Sequence, residues 1–211
     1  MTTLLRVDAS IRQDGSVTRG VADTLETEIG PATTLRRDLG TAPLPSDTWP
    51  QAVAAAFSPE PDAAQLRARA LATEVADELV SADAVVVATP LYNFGVPAAV
   101  KAWIDVVITD PRFAPGVPSP VAGRPAFLVV ARGGGYGEGT PREGWDHATA
   151  YLKRILVDVW GLDLQVIEAE LTLAPSTPGM ESLIDLAREN LDAAHATARD
   201  AGRALDTVGA A

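Results

Sequence analysis

The chain has 211 residues, 47% of them hydrophobic and 21% charged, and a formal net charge of -11. That length suits one domain over residues 1–211, and a chain of this size buries about 70% of its unfolded surface, so its core needs no disulfide or metal staple. The absence of cysteine removes disulfides, thiolate metal centres and thiol catalysis, and two histidines, His147 and His195, do not make a multi-histidine site, so no metal is expected. Nucleic acid and anionic membrane both call for a basic face, which the charge argues against. No run reaches the ~18 apolar residues of a membrane span, and Met1-Thr2-Thr3 leads straight into a strand, so the cytoplasm is the expected location.

Leu4 to Val7 reads as a first strand, and Thr18 to Ile29 as a helix stopped by Gly30-Pro31. Thr34 to Leu39 is the second strand. The segment from Gly40 to Pro61 holds five of the 16 prolines, whose fixed φ angles and missing N–H groups predict a surface excursion without helix. Asp62 to Ser81 reads as the second helix. Ala84 to Ala88 and Ala126 to Val130 are strands apolar on both faces, which places them at the centre of a parallel sheet. Between them come a helix from Pro97 to Val107, with Pro97 in its first turn, and a second proline-rich excursion from Pro111 to Pro125. A fourth helix, Asp146 to Trp160, ends at Gly161, and Leu164 to Leu171 is the fifth strand. In the last helix, Met180 to Leu205, Met180, Leu183, Ala187, Leu191, Ala194 and Ala198 form one apolar stripe; the terminal Ala210-Ala211 is expected to fray. Five strands alternating with five helices make a doubly wound α/β sandwich with right-handed crossovers.

In open α/β sheets ligands bind beyond the carboxyl ends of the strands, and three loops there carry the chemistry. After the first strand, Ser10, Ser16 and Thr18 cluster around the start of a helix, whose free N–H groups and positive dipole end suit a phosphate; the alternative is that Ser16 or Thr18 only caps the helix. After the third, Pro90-Leu91-Tyr92-Asn93-Phe94-Gly95 offers flat apolar faces beside an amide, which suits a planar heterocycle with polar edges, or else a proline-bounded turn with its aromatics folded inward. After the fourth, Ala131-Arg132-Gly133-Gly134-Gly135-Tyr136 lets backbone amides approach a ligand, or is merely a flexible loop. Glu138 stands at the third glycine of a dinucleotide fingerprint, so that motif is not met. In a five-stranded parallel sheet of order 2-1-3-4-5 the three loops surround the switch point, where a flavin mononucleotide would lie.

The order Ser10…Ser16-Val17-Thr18-Arg19, then Pro90-Leu91-Tyr92-Asn93-Phe94 with Lys101, then Arg132-Gly133-Gly134, resembles the FMN-dependent NADH-azoreductases, also described as NADH:quinone oxidoreductases. The resemblance spans nearly the whole chain, including Asp38-Leu39-Gly40; its Tyr-Asn-Phe motif is specific, whereas the serines alone are weak. It implies a flavodoxin-like three-layer sandwich and a homodimer with FMN at the interface. It also implies ping-pong transfer of a hydride from NADH or NADPH through flavin N5 to a small-molecule quinone or azo acceptor, with no catalytic protein nucleophile. By motif, Ser10, Ser16, Val17 and Thr18 would hold the FMN phosphate, and Pro90, Leu91, Tyr92, Asn93, Phe94, Ala131, Arg132, Gly133 and Gly134 would flank the isoalloxazine. Three positions depart from the family pattern: Ala131 and Thr18 replace serines, and Leu91 replaces a common methionine. Phe113, Tyr136 and Trp145 are candidates for stacking on the nicotinamide or the acceptor, or for ordinary packing. His147 is read as a surface residue at a helix start, His195 is given no role, and Asp105 and Asp158 are read as solvated or paired. Two alternatives share the cofactor: a flavin reductase that hands reduced FMN to a partner monooxygenase, and a flavodoxin-type electron carrier. A third is a scaffold that kept the sheet and lost the flavin.

Overall fold

A computed structural model of the chain describes residues 2–209; Met1, Ala210 and Ala211 lie outside the described residues. Its elements run β1 (Thr3–Asp8), α1 (Val17–Ile29), β2 (Thr33–Asp38), α2 (Thr48–Phe57), α3 (Ala63–Ser81), β3 (Ala84–Pro90), α4 (Ala98–Ile108), β4 (Pro125–Ala131), α5 (Thr149–Lys153), β5 (Asp163–Ala169) and α6 (Ile184–Gly209). The strands form one parallel sheet in the order β2-β1-β3-β4-β5.

Alternate residues of the central strands feed two cores. Leu5, Val7, Val85, Val87, Leu128 and Val130 face the side covered by α2 to α5. Leu4, Val86, Phe127 and Val129 face α1 and α6, where Ala194, Ala198 and Ala201 let α6 approach closely. β3 and β4 are buried on both faces, as their unbroken apolar runs require, whereas the edge strand β2 is half-exposed throughout. The predicted stripe of the last helix divides: Leu191, Ala194 and Ala198 meet the sheet, while Met180 and Leu183 pack with Leu171, Ala174 and Ala187 in a small satellite cluster. Gly30 ends α1 in the left-handed region at φ 57, as the sequence predicts.

Two predictions need correction. The proline-rich segment from Gly40 to Pro61 does contain a helix, α2. Its prolines stand where a helix tolerates them: Pro43 and Pro45 precede it, Pro50 lies in the first turn whose N–H groups have no partner anyway, and Pro59 and Pro61 follow its end. Between them Gln51 to Phe57 is a run of good helix formers. Counting prolines in a window hides where each one stands. The fourth helix also differs: Asp146 precedes it, and after α5 the chain widens to a π-helix over Arg154–Val159, with Trp160 N–H donating to the Ile155 carbonyl at 2.9 Å. Six residues are too few for apolar spacing to separate a π turn from an α turn. The segment from Pro111 to Pro125 forms only a 3₁₀ turn, Pro111–Phe113, and Pro125 opens β4 at the one strand position where a missing N–H costs little.

A buried ion pair sits on the α1 face of the sheet. Arg6, in the middle of β1, is 2% exposed and would be a costly isolated charge. It is neutralised by Asp8 (Nε–Oδ2 2.9 Å), Asp23 (2.5 Å) and Glu26 (2.9 Å), the last two on α1. Burial alone would raise the Glu26 carboxyl, but hydrogen bonds from Arg6 and Thr34 and the charge of Arg36 hold it below the usual carboxylate range. A carboxylate depressed in the folded state stabilises the fold fully above its unfolded value, about 4.3, and this contribution disappears as pH falls through the lower folded value. Stability measured by urea unfolding should therefore fall steeply below about pH 4, and Glu26→Gln should flatten that limb while lowering stability at pH 7. An unchanged acid limb in the variant would contradict this role.

Candidate active site

The loops that follow β1, β3 and β4 enclose a cleft of about 310 Å³ at the carboxyl edge of the sheet. At one end lie the hydroxyls of Ser10, Ser16 and Thr18, all nearly buried. Ser16 is the N-cap of α1: its Oγ accepts from the Arg19 amide at a long 3.5 Å and lies 3.2 Å from Thr18 Oγ1. Capping and cavity lining therefore coincide at Ser16, because the helix N-terminus itself opens into the cleft.

This loop is held from behind. Arg19 Nη2 donates to the Ser10 carbonyl at 2.9 Å and to Asp38 Oδ1 at 2.8 Å, while Nη1 donates to Asp38 Oδ2 at 3.0 Å. Asp38 Oδ1 also accepts from the amides of Gly40 and Thr41 at 3.0 and 3.1 Å. Burial pushes the Asp38 carboxyl up, but Arg19 and Thr41 outweigh it and hold it below its ordinary value. Gly40 presses directly on the loop: a Cβ there would overlap the Ser10 carbonyl oxygen and stand 2.6 Å from its carbon. Only glycine fits that approach.

At the other end, the turn Tyr92 to Gly95 places two consecutive residues in the left-handed region, Asn93 at φ 49 and Phe94 at φ 66. Asparagine tolerates this conformation; an aromatic residue there costs on the order of 1–2 kcal/mol. The turn is fixed to its surroundings. Tyr92 Oη accepts from the Ile11 amide at 3.3 Å, the Leu91 amide donates to the Ala131 carbonyl at 2.9 Å, and the His147 amide donates to the Phe94 carbonyl at 3.0 Å. Asn93, exposed, is one of the residues that line the cleft, and its side chain has no partner among the described residues.

The glycine loop is laced to the segment after β5. Leu173 and Leu171 amides donate to the carbonyls of Gly133 and Gly134, both at 3.2 Å. The amides of Gly133 and Gly134 have no partner among the described residues, so two donors stay free beside Ala131 at the cleft.

Of the residues named from sequence, Ser10, Ser16, Val17, Thr18, Pro90 to Phe94, Ala131, Gly133, Gly134 and Tyr136 all line this one cleft. Arg132 does not: its guanidinium, in a residue 5% exposed, turns away to Asp146 (2.7 Å), Glu168 (2.8 Å), Glu170 (3.4 Å) and Thr149 Oγ1 (3.0 Å). Phe113 lies apart from the cleft, 4% exposed against Trp160 at 5.7 Å between ring centroids, in the core that also holds Trp103. Trp145 meets Phe94 edge-on at 5.3 Å and 81°, at the rim. His147 is exposed, His195 is bonded to Thr24, and Asp105 and Asp158 are paired with Lys101 and Arg154. The sequence reading passed over Arg12, Arg142, Thr172 and Leu173, which also line the cleft. Thr172 and Leu173 follow β5, and the rule that ligands sit beyond strand ends applies to that loop as well.

The family described as having a flavodoxin-like fold matches residues 2–193. Among curated relatives, the FMN-dependent NADH:quinone oxidoreductase of Streptomyces avermitilis is 38% identical over 92% of this chain and 93% of its own. That of Streptomyces coelicolor is 36% identical over 94% and 92%. Among solved structures, an azoreductase from Bacillus anthracis superposes with a TM-score of 0.78 over 96% of this chain and 99% of its own, at 23% identity, a likeness of fold. A match along almost the entire length places the chain in the flavodoxin-like-fold family that includes the FMN-dependent NADH:quinone oxidoreductases.

Proposed function

We propose that the chain is an FMN-dependent oxidoreductase that takes reducing equivalents from NADH or NADPH and passes them to quinones or azo compounds. The observation that carries this reading is the convergence of three donor sets in one cleft: buried hydroxyls at a helix N-terminus, the unpartnered Asn93 side chain, and the free amides of Gly133 and Gly134. The donor set fits FMN, a phosphate joined to a planar ring with polar edges. When bound, FMN would supply hydride transfer, taking a hydride from NAD(P)H at N5 and passing it with a proton to the acceptor, in ping-pong order if donor and acceptor share one place.

The residues of the chain supply position and fixed dipoles. Ser10, Ser16, Val17 and Thr18 take the phosphate, with the amides of the first turn of α1 behind them. Pro90 to Phe94, Ala131, Gly133 and Gly134 would flank the ring, whereas Arg132 would not, its amide and carbonyl being bonded to Ala169 and Thr172; the free amides of Gly133 and Gly134 would offset the negative charge that reduction adds. Ala131 brings no hydroxyl, so its side chain would offer the ring no hydrogen bond. Tyr136 and Trp145 border the place of donor and acceptor. The proposal includes a homodimer, and Phe57 (85% exposed), Ile11 (73%) and Trp49 (49%) are large apolar side chains on the surface of one copy that it would have available to cover. An enzyme that draws on NAD(P)H works where that donor is made, in the cytoplasm.

Initial rates with NADH and a quinone varied together should give parallel double-reciprocal lines, and intersecting lines would contradict a shared place. Asn93→Ala should lower NADH–quinone turnover at saturating FMN by about tenfold or more, with far-UV dichroism unchanged. Turnover equal to that of the parent would remove Asn93 from the site. Gly40→Ala should weaken FMN binding by about tenfold, roughly 1.4 kcal/mol, by displacing the Ser10 carbonyl. Fluorescence titration of FMN reads this directly, and an unchanged dissociation constant would contradict it.

A further inference from the structure

Arg12 and Arg142 are the two basic side chains that line the cleft, and neither guanidinium has a partner among the described residues. Most other arginines are ion-paired, in a protein of net charge -11. Free positive charge at the cleft therefore stands out against the surrounding field. Arg12 belongs to the hydroxyl loop after β1. Arg142 sits on the far side: a Cβ on Gly134 would overlap its Nη1 and stand 3.5 Å from Cζ, so the guanidinium lies against the bare backbone of the loop after β4. With β3 between β1 and β4, the strand ends that lead into the two loops are two interstrand spacings apart, about 10 Å, and Arg142 belongs to the loop away from the hydroxyls.

The loop that carries Arg142 is tied down at several points. The Trp145 amide donates to the Arg142 carbonyl at 3.1 Å, and Glu143 accepts from the Gly139 amide at 2.8 Å. Trp145 rests on Phe94, and Asp146 is locked to Arg132. Arg142 is nevertheless exposed, at the rim. Such a placement suits a ligand that comes and goes more than a cofactor held for many turnovers.

Resting on the oxidoreductase reading above, we infer that Arg142 recognises an anionic group on the incoming substrate. Its ligand is a cluster of negatively charged oxygens, and a planar guanidinium suits either the pyrophosphate of NADH or a sulfonate or carboxylate on the acceptor. Binding there offsets the repulsion that a chain of net charge -11 exerts on an anionic substrate.

The test uses the FMN-reconstituted protein with Arg142→Gln and Arg142→Lys. NADH is varied against neutral menadione, and anthraquinone-2-sulfonate against fixed NADH. Arg142→Gln should raise KM about tenfold in at least one anionic arm, leave the KM for menadione unchanged, and be partly rescued by Arg142→Lys. The arm that moves identifies the source of the anion. Equal effects on menadione and the sulfonate, no effect in either anionic arm, or a weakened FMN dissociation constant would each overturn the inference. If the parent protein takes up no FMN, the underlying reading fails separately. Quenching of tryptophan fluorescence by NADH and by anthraquinone-2-sulfonate, compared between parent and Arg142→Gln, then still decides for or against Arg142, with unchanged affinity for both counting against it.

Discussion

Arg19 reaches back from the first turn of α1 to take the Ser10 carbonyl and both oxygens of Asp38. One guanidinium thus joins the end of β1, the end of β2 and the start of α1, the three pieces that must keep register if the hydroxyls of Ser10, Ser16 and Thr18 are to face a common point. A neutral side chain could not do this, because its competitor is water and only a charge-assisted, two-pronged bond outweighs it at a half-open position. Arg19 is itself backed by a second guanidinium, since Asp8 stands between Arg19 (3.7 Å) and the buried Arg6 (2.9 Å). The hydroxyl end of the cleft rests on this chain of alternating charges, and Gly40 closes it by contact alone.

The ring end is built by the same means with different residues. Arg132 is two positions from Gly134, yet its side chain leaves the cleft to bind Asp146, Glu168 and Glu170. Burial would raise the Asp146 carboxyl, but the Thr149 amide and hydroxyl together with Arg132 hold it below the ordinary range, so it stays ionised and keeps the loop closed near neutral pH. The loop in turn sets Trp145 on Phe94, and its His147 amide takes the Phe94 carbonyl. Phe94 is held in a left-handed conformation that the turn alone does not favour, and this outside support is what sustains it.

The sheet was legible because β3 and β4 are apolar on both faces and alternate with amphipathic helices, a pattern that few architectures satisfy. The three loops of the cleft were legible for a related reason: strand ends are where ligands sit, and clustered hydroxyls, an asparagine between two aromatics and a run of three glycines stand at those ends. The helix α2 was missed because a proline tally ignores position. Phe113 was placed among stacking candidates by its loop, whereas its burial against Trp160 depends on a long-range contact that local sequence does not express. Arg132 and Arg142 illustrate the same gap. Both are arginines in one glycine-rich stretch, and only the carboxylates brought up by β5 and by the segment before α5 decide which is consumed by structure and which stays free.

The proposed function turns on whether this cleft holds a flavin that a nicotinamide reduces. The most direct measurement is the visible spectrum of the protein reconstituted with FMN, taken without oxygen before and after one equivalent of NADH. A bound-flavin spectrum should appear and bleach promptly. A bound flavin that stays oxidised with both NADH and NADPH, or a protein that binds no FMN, would contradict it.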